Sequence, residues 1–462
     1  MACATLLAGC ITPRNPPNLE EIREQSETLT RIPLSDPWKA GATAGPIADN
    51  WIVSFNDPQL TELVNEAMAH NTDLRVSAAR VETAAQYVQL AKASLRPAIS
   101  LFGTGGVNMG GGDALQMLSL GASWELDVWG RMRYARNAYE ATHASAQADL
   151  EFGRQSLAAA VAKSWFTASE TWLQLQYAEE MVGASQELVT LGEKRLKVGS
   201  GNEQDVVLAR ASLGSAEDAV KQLRFAHEQT LRALELLLGR YPAAEIQARH
   251  DLPNLPGPTP AGLPLEMLER RPDMIAAERR IAAAFNRVGE AKAAKLPRIS
   301  LNANIAAIAS DILQLQEDYS NPSGGVGAKL LAPIYQGGAL RAQVEIRTSE
   351  QKEAVAQYAG QALRAIGDVE NALAAGRSLA ERETLLQRIV TDNQRGLELT
   401  QVSYRVGKGD LRAVQQQQIT LYAAKLVALR VQSEQLTQRA NLHLALGGSF
   451  EVPPEPPPEE TK

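Results

Sequence analysis

The sequence predicts a mainly α-helical protein with a small β part. One unit of long antiparallel helices and two strands is built twice, and three observations carry that prediction. The first is an internal repeat. Residues 91–101 (AKASLRPAISL) and 291–301 (AKAAKLPRISL) agree at seven of eleven positions, at an offset of 200. Upstream, Leu63, Glu66, Asp73, Arg80 and Ala84 recur as Leu263, Glu266, Asp273, Arg280 and Ala284. Downstream the offset drifts to 208, where Val198-Gly199-x-Gly201 answers Val406-Gly407-x-Gly409. A period of about 200 residues lies far outside the solenoid range, so a domain has been duplicated. The second observation is a heptad running through long proline-free stretches. The third is strict alternation in short segments beside glycine-rich loops.

The elements follow in chain order. Residues 1–9 read as the remnant of a signal peptide, although Met1–Gly9 carries no Lys or Arg. Leu7-Ala8-Gly9-Cys10 resembles a bacterial lipobox, which makes Cys10 the candidate lipidation site and residues 10–50 a lipidated tether. Several acyl chains on one cysteine anchor stably where a single chain does not. Pro13, Pro16, Pro17, Pro33, Pro37 and Pro46 predict an extended tether with little helix.

Repeat one spans 51–250. Asn56-Asp57-Pro58 opens a helix over Leu60–Leu95, and Pro97 stops it by pushing its predecessor out of the α region. Ile99–Phe102 and Leu118–Val128 then read as strands around a glycine-rich loop, Gly103–Asp113. In the second strand Leu118, Leu120, Ala122, Trp124 and Leu126 share one face. Ser119, Gly121, Ser123, Glu125 and Asp127 share the other. That is the pattern and length of a tilted membrane-crossing strand, with Trp124 and Trp129 where interfacial aromatics belong. Repeat two, 251–448, gives Ile299–Ile308, a loop through Asn321–Gly325, and Val326–Leu331.

From Arg131 to Lys197 no proline interrupts the chain, so about 100 Å of helix is predicted. Val161, Ala168, Leu175, Val182, Val189 and Leu196 mark a seam, with small Ser164, Thr171, Ala178, Ser185 and Gly192 three residues after the first five. Gly199-Ser200-Gly201-Asn202 breaks it. The return helix keeps the heptad from Val206 to Leu237, and the second copy from Val414 to Ala445 keeps the same phase. His227 falls in that seam as a packed residue. The tail, 449–462, is rich in Pro and Glu and is expected to be disordered.

Composition excludes several functions. Net charge is −7 with both signs spread along the chain, which is no nucleic-acid footprint. The five histidines show no metal spacing, and the two cysteines, Cys3 and Cys10, lie outside the body. Gly103-x-Gly105-Gly106 lacks the third glycine of a dinucleotide cradle and leads into a strand. No catalytic motif is met, so no enzyme, cofactor or metal is expected. No run of 18 apolar residues exists, hence membrane entry must be by strands. Four strands cannot close a barrel, and open edges are not tolerated in lipid. Three copies supply twelve strands, and their helices wall a tube (an α-barrel). A homotrimeric conduit set in the outer membrane lipids and crossing the periplasm is the reading that results.

Three segments carry a family resemblance. They are Trp124-Glu125-Leu126-Asp127-Val128-Trp129-Gly130-Arg131, then Glu269-Arg270-Arg271-Pro272-Asp273-Met274-x-x-Ala277-Glu278 with Lys295-Leu296-Pro297-Arg298-Ile299-Ser300-Leu301, and Ala332-Pro333-Ile334-Tyr335-Gln336-Gly337-Gly338. The chain resembles, over roughly 50–450, the outer membrane factor family, the TolC-like exit ducts of tripartite efflux pumps. The likeness is nearest to the lipid-anchored NodT/OprM-type branch that serves resistance–nodulation–division (RND) pumps. The resemblance implies a trimer with a twelve-stranded barrel, a periplasmic adaptor protein and an inner-membrane RND pump as partners, and a gate at the two interhelical turns. Mapped here, the gate residues are Asp205, Asp410, Arg412 and Gln416. Asp205-Val206 fits the family's Asp-Val pattern, whereas Gln416 stands where an aspartate is common and Arg412 replaces an apolar residue. An Arg–Asp pair between the turns is therefore expected in place of an acidic ring. A type I protein-secretion duct and a periplasmic coiled coil without a pore are the alternative readings.

Overall fold

The computed structural model describes residues 13–30, 37–43, 45–106, 116–309 and 322–451. Cys10, most of the first strand loop and the tail from residue 452 fall outside them. The expected mainly α chain with four strands is the one found. After α1 (Leu19–Thr30) and a 3-10 turn (Trp51–Phe55), α2 (Pro58–His70), α3 (Thr72–Ala93), β1 (Ala98–Thr104), β2 (Gln116–Leu126), α4 (Arg131–Lys197) and α5 (Glu203–Leu237) follow. The same order recurs as α6 (Pro264–Arg270), α7 (Pro272–Ala293), β3 (Arg298–Ala309), β4 (Ser323–Leu331), α8 (Ala339–Arg405) and α9 (Leu411–Ala445). The 67 residues of α4, and equally of α8, make each about 100 Å long.

The chain packs as two compact units, each drawing on both repeats. One takes 1–32, 77–150 and 273–361, the other 33–76, 151–272 and 362–462. The first unit carries the whole sheet. The second carries the main core, in which Trp51, Phe55, Leu60, Trp165, Phe166, Leu234, Leu238 and Leu436 are buried together. Asp57 sits inside that core and is fully committed. It caps α2 through the Leu60 amide (3.2 Å), accepts from the Trp165 indole (2.9 Å) and meets Arg249 at 3.4 Å. A buried carboxylate persists only when its lone pairs are occupied in this way.

Two expectations need correcting. The segment read as an extended tether contains α1. Its prolines flank the stretch 18–32 without entering it, and Asn18 and Glu21 form a reciprocal capping box (3.2 and 2.8 Å). Ile22 is buried. Further along, the Trp38 indole donates to the carbonyls of Ala261 (3.1 Å) and Gly262 (3.0 Å), and the amides of Lys39 and Ala40 donate to Glu370. This stretch is docked onto the second unit. The helix predicted over Leu60–Leu95 is likewise broken, at Asn71. That residue leaves the α region and its side-chain oxygen caps α3 through the amides of Asp73 and Leu74 (3.0 and 3.1 Å). Asn and Asp compete with helix continuation by such local bonds. At the equivalent place in repeat two, Arg271 is forced out of the α region by Pro272.

The seam of α4 is buried at Val161, Ala168, Leu175 and Val189, and at small Ala178, Ser185 and Gly192. Leu196, at the last seam position, is exposed. His227 lies in the seam as expected, with Nδ1 2.9 Å from Thr171 Oγ1, and burial lowers its pKa.

Candidate functional site

The sheet is a four-stranded antiparallel meander in the order β1-β2-β3-β4. Its register decides which side chains share a face, because residues directly opposite each other point the same way. Leu120 opposes Leu101 and Ile305, Ala122 opposes Ile99 and Ala303, and Trp124 opposes Leu301. Across β4, Ala303 opposes Val326 and Ile299 opposes Leu330. One face is therefore apolar across all four strands, and nothing among the described residues covers it: Ile99 is 73% exposed and Val326 90%. The other face carries Ser100, Ser119, Gly121, Ser123, Ser300, Asn302, Asn304 and Gly327. It turns apolar toward the strand loops, at Phe102, Met117, Ala306 and Ile308, and carries Ala98 and Leu331 at its helix-side end. Both outer strands, β1 and β4, have an unpaired edge among the described residues.

The strand-to-helix junction explains why its motif reads as it does. Asp127 receives the amides of Met132 (2.9 Å) and Arg133 (3.0 Å) at the start of α4, and the Arg133 side chain at 3.1 Å. Glu125 pairs with Arg131 at 2.9 Å. The Trp129 indole donates to the Pro297 carbonyl (2.7 Å), so the motif of repeat one clasps the start of β3. Gly130 adopts φ +77°, which favours glycine there. The Trp124 indole donates to the Leu95 carbonyl (3.0 Å) from the rim of the apolar face.

The two interhelical turns share one backbone. Gly199 and Gly407 take φ +74° and +78°, and in both turns the amide after the glycine reaches back 2.9 Å to a carbonyl of the preceding helix. This is the Schellman closure that satisfies the orphan carbonyls of α4 and α8. Asn202 and Asp410 then cap the return helices, through the amides of Asp205 (2.8 Å) and Arg412 (3.1 Å). Asp205 is half-buried at the third position of α5, and Asp410, Arg412 and Gln416 are exposed. None of Asp205, Asp410 and Arg412 forms an ion pair within the chain among the described residues.

Arg195, which sequence reasoning passed over, binds the two hairpins together near these turns. Its guanidinium donates to the Tyr404 carbonyl (3.1 Å) and stacks 4.5 Å from the Tyr404 ring. Around it Leu188, Val189, Ala209, Leu397, Leu411, Val414 and Leu421 form a buried cluster. The available signal was Arg195 itself, an arginine one residue before the seam's last leucine, where lysines are its neighbours.

Comparison with known proteins fits this geometry. Residues 63–240 and 263–448 each match the model of the outer membrane efflux protein family. The chain is 29% identical to the cation efflux system protein CusC of Escherichia coli O6:H1, over 87% of this chain and 88% of that protein. It is also 29% identical to the probable efflux pump outer membrane protein TtgC of Pseudomonas putida, over 90% of each. Among solved structures it superimposes on the outer-membrane channel OprN with a TM-score of 0.82 at 26% identity, covering 91% of this chain and 98% of that one. For a crystal structure of CusC the values are 0.81 and 27%, with 95% and 100% covered. With both repeats matched, the chain belongs to the outer membrane efflux protein family.

Proposed function

We propose that three copies of this chain form a passive exit channel of a tripartite pump. Drugs or other toxic solutes reach it from an inner-membrane RND pump through a periplasmic adaptor. The observation that carries the reading is the open sheet: one face apolar and uncovered, the other largely polar, and an unpaired edge on each side. Lipid satisfies the first face, a water-filled lumen the second, and pairing of β4 with β1 of the next copy closes the edges. Three copies give twelve strands. Ile334 and Tyr335, 92% and 87% exposed, are further apolar surface left for a neighbouring subunit. Cys10 is proposed to carry the acyl anchor, with α1 and the docked residues Trp38, Lys39 and Ala40 holding the N-terminal segment against the body. In the trimer the turns of neighbouring copies meet, and Arg412 of one copy pairs with Asp205 of the next to keep the aperture shut.

Gene deletion tests the role. Rising susceptibility to toxic solutes with normal protein secretion is expected; unchanged susceptibility with lost secretion would establish the protein-secretion duct instead. Purified protein should be trimeric in detergent and conduct in planar bilayers, and mass spectrometry should find the mature chain beginning at an acylated Cys10.

A further inference from the structure

On the polar face of the sheet, acids and bases are treated differently. Glu125 and Asp127, where β2 runs into α4, are each held by an arginine of the first turn of that helix, at 2.9 Å (Arg131) and 3.1 Å (Arg133). Two bases lie at the same end of the sheet. Register sets Glu125, Ser300 and Lys329 in one row across β2, β3 and β4, with Arg298 in the adjacent row toward the helices. Arg298 and Lys329 are diagonal neighbours on one face, close enough to raise a shared potential. Both are exposed, and neither forms an ion pair among the described residues. Directly opposite Arg298 this face carries Leu331. On the loop side of Lys329, β4 presents Gly327 and Gly325 and β2 presents Ser123 and Gly121, so Glu125 is the one acidic side chain that these strands place beside the two cations.

We propose that Arg298 and Lys329 form a positively charged collar at the helix-side mouth of the barrel lumen, which favours anionic solutes. The collar rests on the trimeric channel reading, which multiplies the pair by three around one axis. Its sign runs against the chain's net charge of −7, so it is a local feature that the bulk balance hides. Like charges ringing an aqueous passage with low-dielectric walls focus the field inward and concentrate counter-ions. The Debye length at physiological salt, about 8 Å, is comparable to the reach of these side chains, so solutes passing near the wall feel the collar. Glu125 does not cancel it, because its charge is already neutralised by Arg131.

Cysteine accessibility tests the collar independently of any gate at the turns, since reagent enters from the open end of the barrel. The native cysteines are Cys3 and Cys10 only, so Asn302→Cys, on the same face and opposite Gly327, is a clean reporter. Labelling by an anionic and a cationic methanethiosulfonate is read by mass on the peptide that carries residue 302, each rate normalised to free cysteine. The anionic reagent should be favoured, and adding R298Q and K329Q should lower the anionic-to-cationic rate ratio by about threefold or more. Adding Glu125→Gln instead should raise the ratio, because Arg131 is then released. An unchanged ratio in the double neutralisation overturns the collar, while bilayer conductance by the same protein leaves the channel reading standing. If neither reagent labels residue 302 in the folded trimer, that face is no lumen, and both collar and channel fall.

Discussion

The two repeats reuse one backbone at both ends of their return helices and fill it with different chemistry. At the far end of α5, Asn71 donates its side-chain amide to the Leu237 carbonyl (2.9 Å). At the far end of α9, Arg271, the equivalent residue, donates to the Ala445 carbonyl (3.0 Å). Gly239 and Gly447 follow in the left-handed region, at φ +74° and +70°. Space adds to this: an added Cβ would clash at 2.7 Å with the His70 carbonyl oxygen in one case and crowd the Arg271 amide at 3.0 Å in the other. One turn earlier the copies diverge. Glu235, 2% exposed, receives the amides of Ala244 (2.7 Å), Glu245 (2.7 Å) and Ile246 (3.3 Å). His443, its counterpart, is 3% exposed, stacks on Trp51 at 5.5 Å and meets Thr259 Oγ1 at 3.4 Å. Duplication conserved the groups that finish the helix, while each copy's buried polar residue was refitted to the loop that happens to pass it.

The largest effect expected from this difference is at Glu235. Truncation to Ala leaves three amides, that of buried Ile246 among them, without their acceptor and should cost about 3 kcal/mol, seen as a lowered unfolding midpoint in detergent. His443→Ala at neutral pH removes packing and one long hydrogen bond, so it should cost less. If the two substitutions cost the same, the carboxylate is not what organises residues 244–246, and the contrast between the repeats collapses.

His443 should dominate the acid response instead. Burial, with a smaller contribution from the Arg439 cation, lowers its pKa to about 4 from the ordinary 6.5. Above pH 6.5 the imidazole is neutral in both folded and unfolded chains, and its contribution to stability is fully present. As pH falls from 6.5 toward 4 the unfolded chain takes up a proton that the folded chain refuses, so stability is lost across that window. The loss is on the order of 3 kcal/mol at its limit. Unfolding midpoints of the wild type and His443→Gln, measured between pH 7.5 and 4.5, should converge toward the acid end. Parallel curves would show that His443 does not titrate as its surroundings dictate.

Much of this fold was legible because periodicity survives duplication. The heptad seam, the strand alternation and the turn glycines recur at fixed offsets, and each is a local pattern with one physical meaning. The polar face could be named residue by residue for β2, since strict alternation assigns faces within a strand. That Glu125 and Lys329 lie in one row could not, because register between β2, β3 and β4 depends on pairing across nearly 200 residues. For the same reason Arg195 was invisible as a clasp: its partner Tyr404 lies in the other repeat. The helix α1 is hidden by the proline content of its segment, because helix formation depends on where prolines fall and not on how many the segment holds.

The smallest effect, and the one nearest to function, concerns the opposite ends of the return helices. The turn backbones superimpose in their hydrogen bonds, yet their charges differ in sign. Residues 197–206 at the first turn carry Lys197, Glu203 and Asp205, whereas the equivalent residues 405–414 carry Arg405, Lys408, Asp410 and Arg412. On the proposed trimer, acidic and basic turns would alternate around the axis, each meeting the opposite charge on both sides, so the proposed closed aperture would be an electrostatic ring. These groups are exposed in the chain, and exposed pairs are individually weak. Arg412→Ala or Asp205→Ala should therefore raise the open population by about fivefold at most, read as single-channel conductance events in planar bilayers. High salt should imitate the substitutions in the wild type and add little to them. Exchanging the charges, Asp205→Arg together with Arg412→Asp, should restore the closed state, while Gln416→Ala should change nothing because an uncharged amide takes no part in the ring. If neither single substitution raises conductance, the seam cluster around Arg195 and Tyr404 holds the end shut on its own, and the opposite charges of the two turns are only solvated surface.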